Sequence, residues 1–324
     1  MTSKMTTSSA QITCRTIDRI HVSQLSSQQF FQCYKKPGIP VVITGILPKQ
    51  SDWNLEYLSE QLGSQEFVLR YYGRDRYQQA KSQWQNIGSG VTAKTKTFDD
   101  YAELLRSGEA YEQDIYLAKC PLHHTALMQT EEIAAIRTKL DDLGFTKPAS
   151  TLNLWVGPGG HTEALHYDPM DGTLIQLHGS KRLVLFPRSQ TANLYPYPFY
   201  LHLWHGLKLR SWFSQVYPDR PDFEAFPKLQ IALNHRYEVV LNAGEILYIP
   251  AGWWHEVTSL GNEMVCSVNR FWRIFPASRA ILFWGRWRAY LGSFCAIPRV
   301  ILSVIVALFG PNRQQRIKEI MQML

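Results

Sequence analysis

Two side chains that can bind a metal stand close together in the stretch EALHYDPMDG, where His166 precedes Asp168 by two positions. Side chains alternate between the two faces of a β-strand, so residues at this spacing point in the same direction. An imidazole and a carboxylate on one face are two of the three ligands in the facial site of non-haem Fe(II) oxygenases. A histidine from another strand would complete such a site.

His255, in the stretch EILYIPAGWWHEV, is the natural candidate for the third ligand. It follows a strand-like run and a Pro-Ala-Gly turn, which would hold the first side chains of the next strand rigidly. The alternative is an accidental match, because the chain has ten histidines and loop His and Asp are commonly just solvated. The joint pattern of His-x-Asp before one strand and His255 in another favours the metal site.

Composition limits the class of protein and its partners. With 324 residues, 45% hydrophobic and 13% aromatic, the chain can bury one large core. The net charge of +7 comes from scattered basic residues, so we expect no nucleic-acid partner. Five cysteines without a CxxC pair predict reduced thiols and a cytoplasmic location. The first 25 residues lack the apolar core of a signal peptide.

The pattern of elements changes near residue 151. The preceding part mixes strand-like runs, such as PVVITG and EFVLRYYG, with helical ones, such as WNLEYLSEQLG, TFDDYAELLRSG and EEIAAIRTKLDDLG. From 151 to 275, short strand-like runs alternate with Gly and Pro turns, which predicts an antiparallel barrel or sandwich. We therefore predict one domain over residues 12–275, with its barrel core at about 150–275, and a helical segment over 276–324.

Several ordered motifs together resemble the cupin-like JmjC family of 2-oxoglutarate-dependent oxygenases. They are HYDPMDGTLIQLHGSKRLVLFP, NLYPYP, AGEILYIPAGWWHEV and SVNRFW, and the similarity covers roughly residues 30–275. Within the family, the pattern looks most similar to the asparaginyl hydroxylase that inhibits hypoxia-inducible factor. The resemblance implies a mainly β fold, a double-stranded β-helix with N-terminal α/β elements and C-terminal helices. It also implies that His166, Asp168 and His255 are the Fe(II) ligands.

The resemblance also implies cosubstrate contacts. Lys181 matches the lysine that pairs with the distal carboxylate of 2-oxoglutarate, and Tyr116 and Asn269 match polar residues around the same molecule. From the sequence alone Lys181 would be a surface residue, since lysine is mostly exposed. Tyr116 and Asn269 would equally suit a hydrogen-bonded core.

Two departures from the family pattern concern the same cosubstrate. Where the family usually has a threonine, this chain has Glu163, with Thr162 beside it as the replacement contact. A carboxylate facing a dicarboxylate would be unfavourable. Where the relatives usually have an asparagine, four residues after the Asp ligand, this chain has Gly172.

The reaction implied by the resemblance consumes 2-oxoglutarate and O2, releases succinate and CO2, and hydroxylates a C–H bond of a substrate. A protein side chain is the first candidate substrate, and a small or lipid-like molecule is the second. The third alternative, from another class, is a cupin-fold binding protein without turnover, which Glu163 and Gly172 would support. We expect substrate contacts in the segment 188–237, and we interpret its His202, His205 and His235 as surface residues.

The C-terminal segment carries an apolar run, VILSVIVALF, that something must cover. Pro298 and Arg299 interrupt the longer apolar stretch, so we predict that the helix starts at Pro298 and is too short to span a membrane. Relatives form dimers through their C-terminal helices, which makes a homodimer the first interpretation. Association with a membrane surface, helped by nearby arginines, is the alternative.

Overall fold

A computed structural model of the chain describes residues 14–47, 53–84, 92–207 and 210–310, together with 313, 314, 316, 317 and 320. The strands in these residues are β1 Asp18–His21, β2 Val41–Thr44, β3 Glu66–Tyr71, β4 Thr92–Thr97, β5 Ile115–Pro121, β6 Asn153–Pro158, β7 Thr162–Tyr167, β8 Asp171–His178, β9 Ser180–Phe186, β10 Tyr237–Asn242, β11 Ile246–Ile249, β12 Trp254–Ser259 and β13 Met264–Trp272. The α-helices are α1 Ser27–Phe30, α2 Leu55–Leu62, α3 Phe98–Arg106, α4 Glu109–Glu112, α5 Glu131–Asp142, α6 His202–His205, α7 Leu229–Leu233, α8 Ala277–Ile281 and α9 Trp284–Phe309.

The strands form two sheets. The large sheet has the order β1-β2-β11-β8-β13-β6-β5-β3-β4, and the small sheet has the order β10-β9-β12-β7. All pairings are antiparallel except that of β1 with β2. The predicted fold, a double-stranded β-helix with N-terminal α/β elements and C-terminal helices, is confirmed.

Alternation along the small-sheet strands decides which side chains enter the barrel. Leu183 and Leu185 of β9 pack with Leu247 and other residues of the large sheet in the core between the sheets. Val184 and Phe186 face the opposite side, where the segment 188–237 covers them. The strand is therefore buried on both faces, as its apolar run Leu183–Phe186 requires.

The N-terminal helices α2 and α3 have the capping residues that their sequences predict. The Thr97 side chain accepts a hydrogen bond from the Asp100 N–H at the start of α3, and α2 ends at Gly63. Leu58, Leu62 and the apolar residues of α5 pack with the large sheet in the main core.

The predicted domain boundary between residues 275 and 276 falls between β13 and α8 and stays a prediction. Residues 12 and 13, and most of those after 310, lie outside the described residues.

The prediction that α9 starts at Pro298 is wrong, because the helix runs without a break from Trp284 to Phe309 with Pro298 inside it. It is long and apolar enough to cross a membrane by length and composition, and only 17% of its most apolar window is buried. A proline removes one backbone donor from a helix, and α9 is held by its contacts with the segment 188–237. Arg288, for example, donates to the carbonyl oxygens of Tyr197 and Ser211.

The interpretation of His202 as a surface residue is also wrong, because its side chain is fully buried against α9. Its Nδ1 donates to the Gly206 carbonyl oxygen at 2.7 Å, and its Nε2 accepts from the Ser211 N–H at 3.0 Å. A Cβ on Gly292 would lie 2.7 Å from His202 Nε2. His202 therefore closes the loop between residues 202 and 211 and holds α9 against it. His205 and His235 are half-buried.

A buried ion pair joins α8 to the first residue of β8, shortly after Asp168. Arg279 donates to both carboxylate oxygens of Asp171, at 3.0 and 3.1 Å, and the Asp171 side chain has no exposed surface. The Ala251 N–H also donates to Asp171, at 2.9 Å. Asp171 therefore connects the loops after β7 and β11 with the C-terminal segment.

We expect Arg279→Met to lower the free energy of unfolding by about 3 kcal/mol, because it leaves the buried Asp171 carboxylate without its cation. Urea denaturation followed by tryptophan fluorescence measures this change. The control is Arg106→Met, which removes the exposed pair with Glu103 and should cost about 0.5 kcal/mol. Equal effects of the two substitutions would contradict the structural role of Asp171.

Candidate metal centre

The two candidate histidine ligands come from neighbouring strands of the small sheet. In the antiparallel pairing of β7 with β12, His166 lies directly opposite His255, and Tyr167 lies opposite Trp254. Tyr167 and Trp254 form an edge-to-face pair, with 4.8 Å between ring centroids. They belong to the cluster of buried apolar residues between the small sheet and the segment 188–237, which we call the outer core. Because side chains alternate, both imidazoles point to the inside of the barrel.

Asp168 follows β7 directly, and the structure brings it to the two histidines. One ligand atom from each of His166, Asp168 and His255 lies within 4.8 Å of the others. His255 Nε2 is 3.5 Å from Asp168 Oδ2, and the two imidazole centroids are 4.3 Å apart. These three residues form a group that can hold one metal ion.

Backbone hydrogen bonds orient both imidazoles for coordination. His166 Nδ1 lies 2.8 Å from the Ala164 carbonyl oxygen, and His255 Nδ1 lies 3.0 Å from the Trp253 carbonyl oxygen. A carbonyl oxygen only accepts, so each Nδ1 carries the proton and each Nε2 keeps a lone pair. Metal-bound histidines commonly donate such a hydrogen bond from the ring nitrogen that does not bind the metal. The donor set of two imidazoles and a carboxylate suits Fe(II).

Burial controls the protonation of these ligands. It lowers the pKa of His255 to about 3, and the neighbouring His166 acts in the same direction. Burial raises the pKa of Asp168, although His166, Lys119 and Arg210 oppose this effect. His255 is therefore neutral at physiological pH, in the form that binds a metal.

The predicted Pro-Ala-Gly turn positions Asp168 through its backbone. The Gly252 N–H donates to the Asp168 carbonyl oxygen at 2.9 Å. Gly252 has a φ of +84°, and a Cβ there would lie 2.5 Å from the Phe283 ring. Glycine is needed for both reasons. The turn thus links the backbone of Asp168 to the start of β12, which carries His255.

The triad lies in a cavity of about 200 Å³ between the two sheets. Lys181 lines this cavity and is buried, so the structure places it inside the barrel and not on the surface. Its Nζ donates to Ser267 Oγ at 2.6 Å and to the Tyr116 hydroxyl at 3.2 Å. Burial lowers the pKa of Lys181 to about 8.

The other predicted cosubstrate contacts divide between the cavity and its surroundings. Tyr116 and Asn269 line the cavity, and Asn269 accepts a hydrogen bond from Trp155 Nε1 at 2.9 Å. The Thr162 hydroxyl instead bonds to the Thr258 hydroxyl at 3.1 Å, and Glu163 takes the position on the cavity wall. Their roles toward a cosubstrate stay predictions, and Thr162 has the weakest support.

Gly172 also lines the cavity, and its small size leaves room next to the triad. A Cβ at this position would lie 3.7 Å from the Phe271 ring and 3.8 Å from the Ile249 carbonyl oxygen, which are ordinary contacts. The backbone therefore does not require glycine here. The missing side chain enlarges the cavity between the triad and Phe271.

The sequence analysis missed His161, which is buried in the cavity wall. Its Nδ1 lies 2.7 Å from Asp114 Oδ1, and its ring stacks on Tyr116 at a centroid distance of 3.9 Å. Its buried Nε2 has no hydrogen-bond partner among the described residues. No short motif joins His161 to Asp114, which stands 47 positions earlier, so sequence spacing gave no signal.

The segment 188–237 supplies part of the cavity wall through Arg210, Trp212 and Phe213. Phe213 stacks on the His166 ring at a centroid distance of 4.8 Å and an interplanar angle of 19°. This contact excludes water from one side of a candidate ligand. Arg70 of β3 and Lys119 of β5 also line the cavity, and the sequence analysis singled out neither.

Comparisons with known proteins agree with this architecture. The lysine-specific demethylase JMJ30 of Arabidopsis thaliana is 31% identical over 269 residues, which cover 81% of this chain and 56% of that protein. JMJ31 of the same plant, also a lysine-specific demethylase, is 27% identical over 77% of this chain and 48% of its own length. The human tRNA wybutosine-synthesizing protein 5 is 27% identical over 78% of this chain and 77% of its own length.

The chain spans about half the length of the two plant demethylases. JmjC homologues are Fe(II)- and 2-oxoglutarate-dependent oxygenases, and the triad that would hold the iron is present here. A particular closeness to the asparaginyl hydroxylase stays a prediction. Residues 27–278 match the Cupin-like domain family over most of the chain, and the protein therefore belongs to this family of cupin-like, JmjC-related proteins.

Proposed function

We propose that this protein is an Fe(II)- and 2-oxoglutarate-dependent dioxygenase that hydroxylates a C–H bond of its substrate and releases succinate and CO2. The observation that carries the proposal is the triad of His166, Asp168 and His255, with both Nε2 atoms directed into a cavity. Three protein ligands on one face leave the opposite face of a metal open. Bound iron with 2-oxoglutarate would supply the oxidising chemistry, and the protein supplies binding and orientation.

The end of the cavity at Lys181 suits the distal carboxylate of 2-oxoglutarate. The Lys181 ammonium has a third proton beyond those directed to Ser267 and Tyr116. The buried Nε2 of His161, which stacks on Tyr116, offers a further polar contact. A buried cation and two oriented polar groups would repay the desolvation of a carboxylate.

The unfavourable effect expected of Glu163 is reduced by its surroundings. Arg70 and Arg210 line the same cavity, and the Glu163 carboxylate acts electrostatically on both guanidinium groups. Glu163 therefore faces cations as well as a bound dicarboxylate. This arrangement weakens the argument that Glu163 prevents 2-oxoglutarate from binding, which was one support for a binding protein without catalysis. Hydroxylation of a protein side chain, as in the asparaginyl hydroxylase, and of a small molecule are both compatible with the triad.

We expect the purified protein with Fe(II), ascorbate and O2 to convert 2-oxoglutarate to succinate slowly, even without its substrate. His166→Ala and Asp168→Ala should each lower this rate at least about 100-fold, because an incomplete triad loses the metal. Succinate measured by mass spectrometry and iron measured by atomic emission give the result. The control variant His205→Ala should retain both the rate of succinate formation and the bound iron. Succinate formation that persists in the triad variants would refute the proposal.

We expect the affinity for 2-oxoglutarate to depend on Lys181 and on pH. In the Mn(II)-loaded protein, Lys181→Met should weaken binding by about 30-fold, since charge-assisted hydrogen bonds contribute about 2 kcal/mol. Below pH 8 Lys181 is charged and the affinity should be constant. Above its pKa of about 8 the ammonium loses its proton, so the affinity should fall up to about tenfold per pH unit.

Calorimetric titrations between pH 6.5 and 9.5 measure this dependence. The control is Arg182→Met, since Arg182 stands next to Lys181 but faces outward to Glu238 and Asp219. A decrease above pH 8 that survives in Lys181→Met would show that another group is responsible.

We propose that α9 pairs with α9 of a second copy of a cytoplasmic protein, with a membrane surface as the alternative. Large apolar side chains of α9 are exposed, among them Phe294 at 72% and Phe309 at 88%. We expect light scattering to show a dimer that Phe294→Asp with Phe309→Asp converts to a monomer. A monomeric wild-type protein that sediments with anionic lipid vesicles would favour the membrane instead.

A further inference from the structure

Three basic side chains from distant parts of the chain meet at the entrance of the cavity. Arg70 of β3, Lys119 of β5 and Arg210 of the segment 188–237 all line it, and we call them the basic entrance. Arg70 and Arg210 are half-buried, and Lys119 is exposed where the cavity opens. Burial lowers the pKa of Arg210 to about 10, and the Arg70 charge acts in the same direction. The basic entrance therefore holds like charges within reach of one another.

An irregularity in β5 directs Lys119 to this entrance. In a regular strand Lys119 would share a face with Leu117, which packs in the main core, while Tyr116 and Ala118 face the cavity side. The register of β5 against β6 shifts between Leu117 and Cys120, and Lys119 has a φ of +55°. Such a conformation costs about 1 kcal/mol or more in a residue with a side chain. The bulge re-aims Lys119, as bulges next to functional sites often do.

The charges of the cavity leave a positive surplus once the proposed cofactors are bound. Its described lining has four cationic side chains, Arg70, Lys119, Lys181 and Arg210, and two carboxylates, Glu163 and Asp168. A divalent metal and the dianion of 2-oxoglutarate cancel each other. Two positive charges then remain, and they lie at the basic entrance because Lys181 faces the cosubstrate. A cleft lined by one sign of charge concentrates ligands of the opposite sign.

An apolar groove lies next to the cavity. It has a volume of about 310 Å³, and its walls are Leu207, Arg210, Trp212, Ser293, Ala296, Ile297, Val300 and Ile301. The five α9 residues in this set recur at helical spacing and form one face of the helix. Arg210 and Trp212 line both the groove and the cavity, so the two spaces are adjacent at these side chains.

We propose that the substrate oxidised at this site is an anionic amphiphile. Its acidic group, a carboxylate or a phosphate, binds the basic entrance, and its apolar chain lies in the groove along α9. This inference rests on the proposed oxygenase function and adds the class of substrate. A cationic methylated lysine is disfavoured, because its charge has the same sign as the basic entrance.

The test uses the full-length protein loaded with Mn(II) and N-oxalylglycine, an unreactive analogue that occupies the 2-oxoglutarate position. Decanoate and decyl phosphate represent the two acids, and decyltrimethylammonium and decanol are the charge controls. We expect at least one acid to bind about tenfold more tightly than both controls in calorimetry. The tighter of the two acids identifies the acidic group.

Substitutions locate the binding. Lys119→Met should weaken binding of the preferred acid about tenfold, and Glu163→Gln should strengthen it, because a competing anion is removed. Ile297→Asp should remove the advantage of decanoate over butyrate. The matched controls are Leu302→Asp, on the α9 face opposite the groove, and Lys139→Met on the surface of α5, and both should bind like the wild type.

The outcomes separate this inference from the proposed function. If N-oxalylglycine binds but the acids bind no better than decyltrimethylammonium and decanol, the inference is overturned and the proposed function stands. The same holds if Lys119→Met and Ile297→Asp behave like their controls. If N-oxalylglycine itself does not bind to the metal-loaded protein, the proposed function fails first.

Discussion

The antiparallel pairing of β7 with β12 is the constraint on which the candidate site depends. It places His166 opposite His255 on the inner face, while Tyr167 and Trp254 lock the outer face. A shift by one residue would bury the aromatic rings in the cavity and turn both imidazoles outward. The outer core therefore holds the metal ligands in place from the opposite face of the small sheet. Carbonyl oxygens two residues earlier in the chain, of Ala164 and Trp253, fix the imidazole tautomers.

Charge is distributed along the cavity in an order that matches the proposed chemistry. Two imidazoles, of which His255 is neutral, and one carboxylate form the triad, and Lys181 and the basic entrance line the same cavity. Burial makes the charge of Lys181 more effective than it would be in water. Asp171 and Arg279 join the loops on both sides of the triad to α8, so the C-terminal segment supports the centre as well as presenting an apolar surface.

The sequence predicted those parts of the site that follow from alternation and turn chemistry. His166, Asp168 and His255 come together as expected. The general exposure of lysine predicted a surface position for Lys181, which is buried, and only the family resemblance indicated the interior. Alternation could not have indicated Lys119, because a bulge interrupts the register of β5 there, and motif spacing could not reveal the contact of His161 with Asp114. The helix boundary at Pro298 was wrong, because α9 continues through Pro298 and packs on α6 in the segment 188–237.

The most direct test of the account is anomalous X-ray diffraction at the iron edge from crystals of the Fe(II)-loaded protein. The account predicts one strong peak inside the barrel, about 2.0–2.3 Å from His166 Nε2, His255 Nε2 and an Asp168 carboxylate oxygen. A crystal structure in which these three side chains point apart, or in which iron binds elsewhere while the cavity holds none, would contradict it.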